Sequence, residues 1–234
     1  MVRIGTAGWS LPAKPMESGT HLRHYARSLS CAEINSTFYR AHRASTWARW
    51  VAETPPDFRF SLKAPKTITH EAKLLNTESL LRAFLEQIEF IREKAGPLLF
   101  QLPPSLAFDP PLAEDFLALL RTLYEDQAVL EPRHATWFTP AANALLKNHK
   151  IARAAADPPK GSPEAADPGG DMSLVYYRLH GSPRMYYSSY DDEFLRSLAA
   201  KVEPHQNAWI IFDNTAHFHA WSNALRLQQL LAKE

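Results

Sequence analysis

The chain has 234 residues, of which 26 are Lys or Arg and 25 are Asp or Glu, so its formal charge is only +1. A chain this close to neutral lacks the strong positive field typical of proteins that bind nucleic acid or anionic membranes without sequence preference. The single cysteine, Cys31, excludes an intrachain disulfide and a cluster of thiolate metal ligands.

Short apolar runs rich in β-branched and aromatic residues alternate along the chain with longer amphipathic runs. The predicted strands, in chain order, are 2–8, 31–38, 58–65, 97–104, 127–134, 151–157, 174–181 and 209–214. Apolar residues at helical spacing predict helices at 20–29, 44–53, 77–96, 110–124, 139–150, 191–202 and 219–234. The helix at 77–96 has a capping candidate in Thr77 and a closing glycine in Gly96.

The alternation of strands and helices predicts right-handed βαβ units in a parallel sheet, and eight such units close a (β/α)₈ barrel. We therefore expect one α/β, TIM-type barrel domain over residues 1–234. Residues 158–171, PPKGSPEAADPGGD, have no apolar periodicity, so the sixth unit is expected to contain a flexible loop and an absent or vestigial helix. An open doubly wound sheet is the alternative, but VRIGTAG lacks the glycine pattern of a dinucleotide-binding turn.

Most of the predicted strands end in polar residues, and a parallel barrel carries its catalytic groups at that end of its strands. Because side chains alternate with period two, residues two apart, such as Glu131 and Arg133, share a face. The polar strand-end residues are Glu33, Asn35, Lys63, Gln101, Glu131, Arg133, Asp157, Arg178, His180, Asp213 and Asn214. Buried ion pairs seldom offset their own desolvation, so a purely structural network is the less favoured alternative to a functional site.

Four of these residues are candidates for catalysis. Glu131 is expected to act as general acid or base, and His180 to shuttle a proton near neutral pH. Lys63, together with the ligand-binding candidate Arg178, is expected to stabilise developing negative charge, and Asp213 completes the catalytic set. The candidates for ligand binding in the same ring are Glu33, Asn35, Gln101, Arg133, Arg178 and Asn214.

The turn after the seventh strand, HGSPR at 180–184, is predicted to bind an anion. TIM-type barrels often hold phosphate at the loops after strands seven and eight, and glycine lets backbone N–H groups approach an oxyanion. The residues expected to hold it are Gly181, Ser182 and Arg184, beside Arg178. An ordinary glycine turn is the alternative. The tyrosines that follow either stack on a sugar or base or cover the barrel, and they are Tyr186, Tyr187 and Tyr190.

Two groups of residues resemble metal sites. His217 and His219 form an HxH pattern after the eighth strand, where they could instead face solvent. Carboxylate and imidazole groups suit Zn or Mn, and the candidate set for a divalent metal is Glu131, His134, His180 and Asp213. The second group has no characteristic spacing, so the sequence leaves the cofactor open.

Seven sequence blocks cover most of the chain from Ile4 to Leu231, and they are IGTAGWS, EINSTFYR, FRFSLKAPKTITH, GPLLFQLPPS, LEPRHATWF, YYRLHG and FDNTAHFHAWSNALRLQQLL. In this order they resemble the domain of unknown function 72 (DUF72) family, also called YecE-like. The resemblance implies a TIM-type barrel, loosely similar in shape to xylose isomerase and endonuclease IV, but no activity. The family's polar blocks fall on Glu33, Asn35, Lys63, Gln101, Glu131, Arg133, Arg178, His180 and Asn214.

Two features depart from the family pattern. Asp213 stands where relatives often have Asn, and residues 158–171 are specific to this chain.

These observations favour an enzyme that acts by hydrolysis or isomerisation on a small polar or anionic, sugar-phosphate-like ligand at the barrel mouth. The first alternative is a nucleic-acid-binding or phosphodiester-cleaving protein of endonuclease IV-like shape, which would need a basic groove longer than one phosphate. The second is a non-catalytic ligand-binding module. For a functional mouth, Glu131→Gln is expected to leave folding largely intact and to weaken ligand binding.

The N-terminal stretch MVRIGTAGWS lacks the charged-then-apolar pattern of a secretory signal. No apolar run approaches the ~20 residues of a membrane span. The sequence therefore predicts a cytoplasmic protein without a membrane partner.

Overall fold

The computed structural model describes residues 1–12 and 19–232. Its strands are β1 Val2–Ala7, β2 Cys31–Ile34, β3 Arg59–Lys63, β4 Ala95–Gln101, β5 Ala128–Glu131, β6 Ile151–Arg153, β7 Ala155–Asp157, β8 Gly169–Gly170, β9 Val175–Leu179 and β10 Ala208–Phe212. Its α-helices are α1 His21–Tyr25, α2 Ala44–Ala52, α3 Glu78–Ile88, α4 Pro110–Leu123, α5 Pro140–Asn148, α6 Asp192–Val202 and α7 His219–Leu231. None of these helices is long and apolar enough to cross a membrane.

The strands form one sheet in the order β7-β9-β10-β1-β2-β3-β4-β5-β6-β8, and every pairing is parallel except that of β6 with β8. β6 and β7 follow one another in the chain, separated only by Ala154, yet β6 pairs with β5 and β7 pairs with β9. The sixth predicted strand is thus one split strand that joins the two sides of the sheet into a nearly closed barrel. The expected (β/α)₈ fold is confirmed.

The sixth unit lacks the α-helix that covers its neighbours. Between β7 and β9 the described backbone forms only a 3₁₀-helix, Pro163–Ala166, and the two-residue strand β8. The Pro- and Gly-rich composition explains this, because proline removes backbone donors and glycine is costly in a helix. The expectation of an absent or vestigial sixth helix is confirmed.

The inner face of the barrel changes character along the strands. Its lower layer is apolar and consists of Cys31, Leu99, Val129, Ala152, Ala154, Leu174, Tyr176, Trp209 and Ile211. Two residues further along several of these strands, the inward positions become polar, because side chains alternate across a strand. Those positions hold Glu33, Gln101, Glu131, Arg178 and Asp213. The polar groups therefore lie at the C-terminal mouth, above an apolar floor.

The third helix ends earlier than the sequence predicted. α3 stops at Ile88, a 3₁₀-helix runs over Glu89–Lys94, and Gly96 lies in β4. A Cβ at Gly96 would lie 2.4 Å from the Trp209 ring, so this glycine makes room for an inner side chain and does not close a helix. Thr77 precedes α3 but makes no side-chain cap, and its buried hydroxyl has no hydrogen-bond partner among the described residues.

Candidate functional site

Arg178 is the centre of the polar mouth. Its side chain is fully buried, and its guanidinium forms ion pairs with three carboxylates. Nε and Nη2 donate to the two oxygens of Glu33 at 2.9 and 2.6 Å, Nη1 donates to Glu131 Oε2 at 2.8 Å, and Nη2 also donates to Asp213 Oδ2 at 3.0 Å. The pKa of Arg178, which burial would lower, is held well above its ordinary value by Glu33, Glu131 and Asp213. This arginine is therefore a permanent cation whose charge is already compensated.

Glu131 is the most heavily bonded carboxylate. Besides Arg178, it accepts hydrogen bonds from Arg133 Nη2 at 2.9 Å and from Gln101 Nε2 at 3.0 and 3.1 Å. Burial would raise the pKa of Glu131, but Arg178, Arg133 and His180 outweigh it and hold that pKa well below its ordinary range. Glu131 therefore stays ionised and is a poor proton acceptor at neutral pH.

Glu33 is supported from below by groups that the sequence analysis missed. Tyr176 donates to Glu33 Oε2 at 3.0 Å, and Ser61 lies 2.7 Å from the Tyr176 hydroxyl. Burial and the Glu33 charge raise the pKa of Tyr176 well above its ordinary value, so its hydroxyl stays a donor. Tyr176 precedes Arg178 by two residues, and Ser61 precedes Lys63 by two. Because side chains two apart on a strand share a face, this spacing predicts that both residues point into the barrel.

His180 and Asp213 form a buried proton-holding pair. His180 Nδ1 lies 3.0 Å from Asp213 Oδ2, and His180 Nε2 lies 3.4 Å from Glu131 Oε1. Burial and Arg178 act to lower the pKa of His180, but the hydrogen bonds to Asp213 and Glu131 prevail and raise it. The pKa of Asp213, which burial would raise, is lowered by Arg178 and His180. The imidazole therefore carries a proton more readily than a free histidine does.

Lys63 ends β3 at the same mouth but is not part of the bonded network. Within the described residues, no hydrogen bond or ion pair holds its ammonium, which lies 4.4 Å from the centre of the Phe38 ring. Burial first, and the Arg178 charge second, lower the pKa of Lys63 to about 8, although nearby carboxylates oppose this. The residue is 9% exposed, and its nitrogen is not fully enclosed by the described residues.

The charges of the mouth cancel when His180 is neutral and leave one positive charge when His180 is protonated. The negative groups are Glu33, Glu131 and Asp213, and the positive groups are Lys63, Arg133, Arg178 and protonated His180. One positive charge is therefore in excess when His180 is protonated. Solvent exposure shows which of these side chains a ligand can reach. The side chains of Arg133 and Asp213 are 15% and 11% exposed, whereas that of His180 is only 1% exposed.

The predicted anion site after β9 is built differently. The Gly181 N–H already donates to the Tyr190 hydroxyl at 2.8 Å, and Arg178 is neutralised by carboxylates. Arg184 is exposed and lies over the Tyr187 ring at 4.1 Å. The side chain of half-buried Ser182 makes no hydrogen bond within the described chain. The Gly181 amide and Arg178 are therefore already engaged, whereas Arg184 is exposed, and an anion site at this turn stays a prediction.

The three tyrosines of this loop have different positions. Tyr190 is buried and bonds Asp157 Oδ1 at 2.8 Å, so it is a packing residue. Tyr186 lies edge-on over the His180 ring, with 6.0 Å between ring centres, and has a positive φ of 68°. A bulky residue in this conformation is held there by its surroundings. Tyr186 therefore covers the proton-holding pair at the rim of the mouth.

Three strand-end residues do not join the ring. Asn35 follows β2 in helical backbone conformation, so it does not extend the face of Glu33, and its buried Oδ1 has no partner in the described ranges. Asp157 bonds Tyr190 on the outer side of the barrel. Asn214 donates to Ser188 O and Asn223 Oδ1, both at 2.9 Å, and ties the loop after β9 to α7.

Three of the candidate metal ligands, Glu131, His180 and Asp213, lie together at the mouth, but they are bonded to one another and to Arg178. No group of three or more His, Cys, Asp or Glu in residues 1–12 and 19–232 is arranged to hold a metal ion. His134 caps the following 3₁₀-helix through Thr136, which explains its position after β5. His217 packs against Tyr187 with 5.3 Å between ring centres, and the rings of His217 and His219 are 6.1 Å apart.

His70 is a further residue of the rim that no sequence pattern indicated. It lies in a π-helix over Thr67–Glu71, and its ring meets Phe38 edge-on at 5.0 Å. Burial, followed by the charges of Lys63 and Arg133, lowers the pKa of His70. A neutral imidazole therefore lies beside the two accessible cations.

Comparison with known proteins places these features in a family context. Residues 3–234 match the family model described as "Protein of unknown function DUF72". UPF0759 protein YecE of Escherichia coli (strain K12) is 36% identical over 103 residues, which cover 44% of this chain and 38% of YecE. UPF0759 protein YunF of Bacillus subtilis (strain 168) is 29% identical over 154 residues, which cover 60% of this chain and 53% of YunF. The matches thus span less than two thirds of either relative.

Two solved structures share the whole fold. A DUF72 family protein from Thermotoga maritima superposes with a TM-score of 0.83 at 25% identity, over 99% of each chain. A DUF72 family protein from Enterococcus faecalis V583 superposes with a TM-score of 0.84 at 22% identity, over 99% of this chain and 96% of that one.

Proposed function

The chain belongs to the DUF72 family of proteins of unknown function, and for this member we propose that the barrel mouth binds and transforms a small anionic metabolite of the sugar-phosphate kind. The observation that carries the proposal is Lys63, a cation at the mouth whose ammonium has no hydrogen-bond or ion-pair partner among the described residues. A structural network would compensate its charges, because an uncompensated buried charge is destabilising. An anionic ligand would complete the balance.

The exposed groups suggest how the ligand is held. Arg133 uses Nε and Nη2 for Glu131, which leaves Nη1 to contact a phosphate or carboxylate. Lys63 lies against the reacting part of the ligand. Asp213 is the carboxylate that meets the ligand, in preference to sealed Glu131, and His180 behind it supplies a proton. Hydrolysis and isomerisation both use these groups.

Calorimetric titration with sugar phosphates of three to six carbons tests the proposal. We expect saturable binding to the wild type with a dissociation constant below about 1 mM, and a loss of about tenfold or more in Arg133→Met, because a charge-assisted hydrogen bond contributes ~1.5–3 kcal/mol. Arg133→Lys should lose less than Arg133→Met. Arg196→Met, which removes an exposed helix-surface charge paired with Asp192, is the matched control and should bind like the wild type.

The other outcomes distinguish the alternatives. No saturable binding at millimolar ligand, or equal binding by Arg133→Met, contradicts the proposal. Saturable binding of a short DNA duplex without binding of any sugar phosphate favours the nucleic-acid alternative, and that binding should weaken steeply with salt. Binding of a sugar phosphate that the protein never converts to product favours the non-catalytic module.

A further inference from the structure

Two lysines of the described ranges are buried, and they differ in what their nitrogens contact. Lys94 donates to Thr54 O at 2.7 Å, to Thr54 Oγ1 at 2.9 Å and to Pro55 O at 2.6 Å. Lys63 has no such acceptor, although it is nearly as buried, at 9% exposure against 5%. A buried ammonium without acceptors is costly, and the cost disappears when it loses its proton.

The fold fixes where the Lys63 nitrogen lies. The backbone of Lys63 pairs with Leu99 of β4, and its carbonyl accepts a hydrogen bond of 2.6 Å from Thr37. The side chain then runs along the Phe38 ring to the mouth. A rigid strand end that presents a single nitrogen to a cleft is a suitable position for a reacting group.

The surroundings also favour the reactive form of this nitrogen. The charged groups that face it are Glu33 from β2, Glu131 from β5, Arg178 from β9 and Asp213 after β10, while Phe38 and His70 lie beside it. With a pKa of about 8, about a tenth of Lys63 is neutral amine at pH 7, whereas an ordinary lysine is almost wholly charged. Desolvation next to another cation is a known means of activating an amine.

On the basis of the proposed ligand site, we propose that Lys63 is a nucleophile that forms an imine with the aldehyde or ketone group of the ligand. The lone pair of Nζ attacks the carbonyl carbon, and the carbonyl oxygen takes the proton held by the His180–Asp213 pair. The nitrogen of this carbinolamine returns one proton to the pair. The hydroxyl then leaves as water with that proton, and the product is a protonated imine. The substrate class is therefore an open-chain aldose or ketose phosphate or a related carbonyl compound.

Reductive trapping tests this inference. The wild-type protein is incubated at pH 7 with glycolaldehyde and sodium cyanoborohydride, which reduces an imine to a stable secondary amine, and the modified lysines are identified by peptide mass spectrometry. We expect labelling of Lys63 at least tenfold faster than that of Lys94, whose nitrogen is occupied. Lys66, an exposed neighbour paired with Glu71 at 2.8 Å, should also label slowly, because that partner raises its pKa.

The pH dependence and a variant complete the test. Labelling of Lys63 should rise with pH around its pKa of about 8, and it should be absent at this position in Lys63→Arg. Labelling of Lys63 that is no faster than that of Lys66 overturns the inference. Labelling of Lys63 should be unchanged in Arg196→Met, which removes only an exposed helix-surface charge paired with Asp192. Sugar-phosphate binding with unlabelled Lys63 overturns only the imine, whereas labelled Lys63 without sugar-phosphate binding overturns only the proposed anionic ligand.

Discussion

The side chains of the mouth differ in their hydrogen-bond and ion-pair partners and in their exposure to solvent. Arg178 and Glu33 are sealed from solvent and bonded to one another through two hydrogen bonds. Arg133 and Asp213 are bonded but partly exposed, and Lys63 has a nitrogen that is not fully enclosed and makes no hydrogen bond or ion pair with the described chain. Sealed residues therefore support the site, whereas exposed ones are available to a ligand.

Glu131→Gln should destabilise the protein, contrary to the expectation from the sequence alone. A neutral amide cannot compensate Arg178 and Arg133, and its NH₂ group would face donors where the carboxylate accepts. Breaking one partner of a buried ion pair costs ~3–5 kcal/mol. Urea unfolding at pH 7 measures this loss. Glu78→Gln, which breaks an exposed pair with Arg82, is the control and should change stability by less than about 0.5 kcal/mol. A loss below ~1 kcal/mol in Glu131→Gln would show that Glu131 does not hold the network together.

At the scale of elements, the period-two pattern of strands explains both the correct and the wrong predictions. Glu131 and Arg178 follow inward apolar residues by two, so their inward direction could be read from the sequence. Asp157 has the opposite parity to inward Ala152 and Ala154, and the same pattern applied from those residues would have placed it outside. Asn35 could not be placed, because the chain leaves the strand at that residue.

The conformation of the loop after β9 should require glycine at position 181. This residue has a φ of +93°, and a Cβ there would lie 2.9 Å from Ser188 O and 3.0 Å from Asn214 Cβ. Gly181→Ala should therefore cost ~2 kcal/mol or more in unfolding free energy and increase proteolysis of the loop. Gly8→Ala is the matched control, since Gly8 also has a positive φ of 77° but open space around it. Equal losses in the two variants would show that backbone strain alone matters at Gly181.

At the scale of the whole molecule, the sequence predicts the barrel but not its charge pairing. Strand and helix patterns are local, so eight strand segments and the missing sixth helix could be predicted from them. The partners of each charge depend on closure of the barrel, which brings Glu33 to Arg178 across 145 residues of sequence. The occupied Gly181 amide depends in the same way on where Tyr190 packs. Lys63 was predicted as a site residue, but its lack of partners is visible only in three dimensions.

Stability should depend on pH through His180. Because the pKa of His180 is raised in the folded state, its stabilisation is fully present below the unfolded pKa of ~6.5 and is lost as pH rises through the folded pKa. The lowered pKa values of Glu131 and Asp213 make stability depend on pH only in the acid range. Urea unfolding of the wild type and His180→Asn at pH 6, 7 and 8 should show the wild-type advantage shrinking with pH. A constant difference would mean that His180 does not carry the proton.

The unfolding free energy of Lys63→Met at pH 7 tests most directly the claim that the mouth keeps a charge for a ligand. The folded state lowers the pKa of Lys63 from ~10.4 to about 8, so the charged form destabilises the fold below pH 8, and methionine keeps the apolar part of the side chain. We predict that Lys63→Met is more stable than the wild type by ~2 kcal/mol, whereas Lys94→Met, which abandons three acceptors, is less stable. A Lys63→Met protein less stable than the wild type by ~1 kcal/mol or more would contradict the account, because Lys63 would then be part of the scaffold.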